Sequence, residues 1–166
     1  MVTRNWYNYY KSQRMWKVIT DGLKYQNGNV GNSGYGTSPQ SDTLLFRTGS
    51  VQIGGSSNGI VLGSGMTPAT LDDYCLESRI TSGLSGSVSL TSDPNNDLLY
   101  TLVLTSTSTD DITIGEIGIM SYAYTGQNGG NALVLIERTV LDTPVTIPAG
   151  GIGQVTYTIR MNYPTA

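Results

Sequence analysis

The chain contains no histidine and a single cysteine, Cys75, among its 166 residues. A Ser/His/Asp triad, a Cys/His pair and nearly every zinc site need imidazole or several thiolates, so these constellations are excluded. An intrachain disulfide needs a second cysteine. Cys75 sits in an acidic context, Asp72-Asp73-Tyr74-Cys75-Leu76-Glu77, which disfavours a thiolate and suits a small core residue. Charge is also scarce, with nine Lys and Arg against twelve Asp and Glu. This slight acidic excess offers no cationic footprint for nucleic acid. No apolar run approaches the roughly twenty residues that span a bilayer, and the first residues lack the apolar core of a secretory signal, so a soluble, untargeted product with no membrane partner is expected.

Gly, Ser, Thr and Asn are abundant instead, a balance that favours short strands and tight turns. The length fits one domain with a real hydrophobic core. Period-two alternation is strong in SGSVSL, LLYTLVLTS and DITIGEIGIMSYAY. It returns in the closing run, where Val155, Tyr157, Ile159 and Met161 alternate with Thr156, Thr158 and Arg160. The expected fold is all-β: an antiparallel β-sandwich, jelly-roll-like, over residues 43–166. Thr143-Pro144, Pro148 and Gly150-Gly151 read as punctuation between its last strands, and Gly54 to Gly59 reads as a hairpin connection.

Residues 1–25 differ from the rest. Trp6, Tyr7, Tyr9, Tyr10, Trp16 and Tyr25 crowd together with Arg4, Lys11, Arg14, Lys17 and Lys24. This mixture can stack bases over a cationic groove, stack sugars or, the favoured reading, anchor an arm on a neighbouring subunit, with Trp6, Tyr9, Tyr10 and Trp16 as anchors. It suits equally a short element covering the end of its own sheet core. Residues 26–42, nearly all Gly, Asn and Ser, read as a loop or tether.

No constellation points to catalysis or to a cofactor. Thr67 to Tyr74 breaks the strand pattern with Pro68 and a candidate threonine cap, so a helical turn or compact loop is expected. The adjacent carboxylates Asp72 and Asp73 diverge on any regular backbone and suit capping better than paired acid/base work. Asp93, Asn95 and Asp97 imitate the start of a calcium loop, but Leu98 and Leu104 stand where its glycine and bidentate glutamate belong, leaving a proline-containing turn. Glu116, in an apolar strand, and Arg138, ending another, are charges expected to pair across strands. The alternative reading is a glycan platform of Tyr122 and Tyr124 beside Asn128, where rings could stack on a sugar and amides could bond its hydroxyls, although the same residues are equally ordinary in a hairpin.

The segments TPATLDDYCLESRI, GEIGIM and ALVLIERTVLDTPVTIPAGGIGQVTYTIRM resemble small structural proteins of tailed bacteriophages over roughly the last hundred residues. The matching positions are Gly115 to Ile119, Leu135 to Thr139, Pro144 to Gly150 and Tyr157 to Ile159. The resemblance implies a non-enzymatic virion component of capsid, neck or tail. Its partners would be itself or another virion protein, with a host-surface glycan as the alternative ligand.

Overall fold

The computed structural model describes residues 1–8, 19–33, 49–53, 59–92, 98–124 and 131–159. The protein is all-β with antiparallel sheets. Its strands are β1 (Ile19–Lys24), β2 (Val30–Ser33), β3 (Gly49–Ile53), β4 (Gly59–Gly63), β5 (Leu84–Ser92), β6 (Leu98–Ser106), β7 (Ile112–Tyr124), β8 (Asn131–Ile147) and β9 (Ile152–Ile159). They form a β1-β2 hairpin, a four-stranded sheet ordered β3-β5-β6-β9 and a three-stranded sheet ordered β4-β7-β8. Among the described residues no helix is long and apolar enough to cross a membrane.

Alternation builds the core. Leu84 and Val88 of β5, with Tyr100, Leu102 and Leu104 of β6, point one way and are buried. They share a cluster with Ile60 and Leu62 of β4, Ile114 of β7 and Ile147 of β8, so both larger sheets contribute to one core. Val155 and Tyr157 pack against it from β9, on the face that the alternation assigned to them. Leu104 pairs with Gly86 on one side and Gly153 on the other. A Cβ at Gly153 would come within 2.9 Å of Ile147, so the missing side chain makes room for this part of the core.

Two readings of the turns are corrected. Gly54 to Gly59 is not a hairpin connection, because β3 pairs with β5 while β4 pairs with β7 in the other sheet. Glycine-rich polar runs mark a change of direction without fixing the partner of the next strand. Thr143-Pro144 does not end a strand either. β8 runs through it, and the ladder skips: Ile114 faces Val145, whereas Glu116 faces Val140. Pro144 lies in the bulged segment, where its missing N–H leaves no ladder bond broken. The bulge also lets Ile114 and Ile117 both pack on the central core, although they stand three positions apart and a regular strand would turn them to opposite faces. The imitation calcium turn lies outside the described residues.

The N-terminal residues are built into the same body. Residues 4–8 are helical, and Val2 bridges to Glu137 on the edge of β8. A second bulge, at Ile136 between the Ile119–Glu137 and Met120–Leu135 pairs, presents carbonyls to this segment. Thr3 N–H donates to the Ile136 carbonyl at 2.9 Å and its hydroxyl to the Leu135 carbonyl at 2.6 Å. Asn5 exchanges two bonds of 2.8 Å with the Lys24 backbone. These contacts cover part of an edge strand that would otherwise expose unpaired backbone. Within the expected tether, Val30–Ser33 forms β2, because Gly28 at φ 85° closes a tight turn that returns the chain along β1.

Candidate functional site

The densest set of ionisable side chains among the described residues lies on the face of the β4-β7-β8 sheet beneath residues 64–79. After the Gly115 bulge, Glu116 points out of the central core and into this loop. It is fully buried. Its Oε1 accepts from the N–H groups of Gly65 at 3.2 Å and Ser78 at 2.8 Å. Its Oε2 accepts from Glu77 N–H at 3.1 Å and from Arg138 Nε at 2.7 Å. A carboxylate can be kept charged in an apolar surround when donors supply what water no longer does.

Arg138 is the hub. Besides Glu116, its Nη1 donates to Asp73 Oδ2 at 2.8 Å and its Nη2 to the Thr67 carbonyl at 3.1 Å, while Glu77 Oε2 lies 3.6 Å from Nη2. Glu77 accepts in turn from the Thr67 N–H at 2.9 Å and hydroxyl at 2.8 Å. Asp73 bonds back to Thr70 N–H and hydroxyl at 2.9 and 2.7 Å. Asp73 therefore serves as a loop cap, in line with the capping expectation. The expected Glu116–Arg138 pair is present. The parts that sequence reasoning missed are Thr67, Asp73 and Glu77 as its further partners.

Small residues make the fit. A Cβ on Gly63 would fall within 2.8 Å of the Ser78 carbonyl and closer still to Glu116 Oε1, and one on Gly65 would meet Glu77 at 2.5 Å. Electrostatics agree with the geometry. Burial raises the Asp73 carboxyl, but bonds from Arg138 and Thr70 outweigh it and hold the group below the usual carboxylate range. Bonds from the Thr67 backbone and hydroxyl likewise lower Glu77. Both oxygens of Glu116 and of Asp73 and one oxygen of Glu77 are thus hydrogen-bonded around the guanidinium, an arrangement that fastens the loop to the sheet. Among the described residues no group of side chains is placed to hold a metal ion.

Of the anticipated binding residues, Trp6 and Tyr122 have described side chains, and both pack within their own chain. Trp6 is half-buried and packs against the cluster of Leu23, Ile119, Val134 and Ile136 in its own chain, while Tyr7 beside it is exposed. Tyr9, Tyr10 and Trp16 lie outside the described residues. Tyr122 is half-buried against Val61, Leu76, Met120, Leu133 and Leu135. Tyr124 ends β7, and Asn128 lies outside the described residues. Cys75 is half-buried and lines a cavity of about 230 Å³ with Gln26, Leu76, Arg79 and Met120. It is thus less deeply placed than the core residue expected of it, and burial and then the charges of Asp73 and Glu116 raise its thiol above the ordinary value. A polar hollow of about 280 Å³ lies between Arg4, Asn5, Asn8, Lys24 and Asp72, with Arg4 and Asp72 paired across it at 2.6 Å.

These features define an antiparallel all-β domain with a loop locked onto one sheet. No protein-family model, curated protein or solved structure matches the chain.

Proposed function

We propose that this chain is a non-enzymatic structural component of a bacteriophage virion, a two-sheet sandwich that acts by associating with further copies of itself. The observation that carries the non-enzymatic part is the fate of Glu116, Asp73 and Glu77, whose carboxylates are engaged by Arg138, Thr67, Thr70 and loop N–H groups. Burying an ion pair in this way contributes little net stability, but it specifies one arrangement of the segments it joins. Those segments are residues 64–79, β7 and β8. They also carry much of the likeness to phage structural proteins, which continues into β9. A rigid body with fixed outer surfaces is what a repeating assembly needs, since each contact is multiplied by symmetry.

Light scattering on the full chain over a range of concentrations tests the reading. A discrete multiple of the chain mass is expected, and a monomer at every concentration overturns self-association. Deleting residues 1–25 is a poor substitute, because Thr3, Asn5 and Leu23 are buried in the domain itself.

A further inference from the structure

We propose that two copies of this chain pack through the outward face of the β3-β5-β6-β9 sheet, an inference that rests on the self-association reading above. None of these four strands contains Asp, Glu, Lys or Arg. All of the nine basic and twelve acidic residues of the chain lie elsewhere. A solvated surface ordinarily carries roughly a quarter to a third charged side chains, so a charge-free sheet face is a marked departure. Two rows cross it in register, Ser87–Val103–Gln154 and Ser89–Thr101–Thr156. Apolar side chains stand among the hydroxyls: Val103 is 42 % exposed and Ile152 74 %.

The chemistry of the face selects a second copy as its occupant. A two-fold contact brings a patch against itself, so any charge near the axis meets its own like. A charge-free patch carries no such penalty. Hydroxyls both donate and accept, so a Ser/Thr row is complementary in hydrogen bonding to an identical row, as an ammonium or carboxylate row is not. The strands are 5, 9, 9 and 8 residues long. At roughly 3.4 Å per residue and about 4.8 Å between strands they give a face of about 500 Å². Two such faces cover about 1,000 Å², the lower bound for a specific contact. Val103 stands near the middle of β6, one of the two inner strands, and so near the centre of the face.

The test is sedimentation velocity on the full chain and on the variants Val103→Lys, Thr101→Lys and Thr146→Lys, with thermal melts to confirm folding. Thr146 is exposed on the other sheet and serves as the control. The proposal expects a wild-type dimer that persists in high salt, a Thr146→Lys dimer of equal strength, and at least a tenfold weaker dimer for both Val103→Lys and Thr101→Lys. If all four proteins form the same oligomer, the face is wrong while self-association stands. If the wild type is monomeric at every concentration, both fall. Should one face variant fail to melt cooperatively, the other carries the test.

Discussion

Replacing Glu116 by Gln tests whether the Arg138 cluster fastens the loop. The amide keeps the shape of the carboxylate but retains one acceptor oxygen and presents an NH2 group in place of the other. If the oxygen serves Gly65 and Ser78, the NH2 faces Glu77 N–H and Arg138 Nε. If the oxygen is flipped, the NH2 faces Gly65 and Ser78. Either way two donors lose their acceptor inside a fully buried site, at about 1–3 kcal/mol each, and Arg138 loses its nearest countercharge. The expected cost is about 3–5 kcal/mol, the range for breaking a buried pair from one side. For a domain of this size that corresponds to a fall in Tm on the order of 10 °C. Urea unfolding followed by circular dichroism at neutral pH measures it, and amide exchange should show residues 64–79 losing protection first. A loss under about 1 kcal/mol, or unchanged exchange in the loop, would refute the reasoning, because buried donors without acceptors cannot be that cheap.

Gly63→Ala places a Cβ against the Ser78 carbonyl and Glu116, and urea unfolding should show a loss of about 2–3 kcal/mol. Gly150→Ala meets nothing within 4 Å but forces alanine to φ 70°, so the same assay should show only about 1 kcal/mol. Asp73 and Glu77 are both held below their ordinary carboxylate range. Their contribution is therefore present above about pH 4 and is lost as pH falls through their folded values. Melts between pH 6 and pH 2 should show this decline, and Asp73→Asn should flatten it while lowering stability at neutral pH. Thr3→Val keeps the buried shape but removes the donor to the Leu135 and Ile136 carbonyls. About 1–2 kcal/mol should be lost, with faster amide exchange over residues 1–8.

Strands were legible where one face is wet and the other dry, as in β9, because a two-residue period has no other common cause. Glu116 and Arg138 were legible for a related reason: a charge inside an apolar strand must find a partner. Asp73, Glu77 and Thr67 were not, since a loop has no period and its acidic side chains look the same whether they face water or a guanidinium. Pro144 misled because proline marks lost pairing, and a bulge loses pairing without ending the strand. The polar run between β3 and β4 misled because turn chemistry is local whereas sheet membership is decided by long-range contacts. The aromatic crowding of the first residues was visible, but the seating of Thr3 on β8 depends on the Ile136 bulge more than a hundred residues away, and no local pattern announces it.

The central claim is that this domain works as a rigid piece of an assembly of its own copies. Native mass spectrometry of the full chain, from low to high protein concentration, tests it most directly. The account predicts a discrete dimer or a higher closed multiple whose share grows with concentration. A monomer alone at every concentration would contradict it.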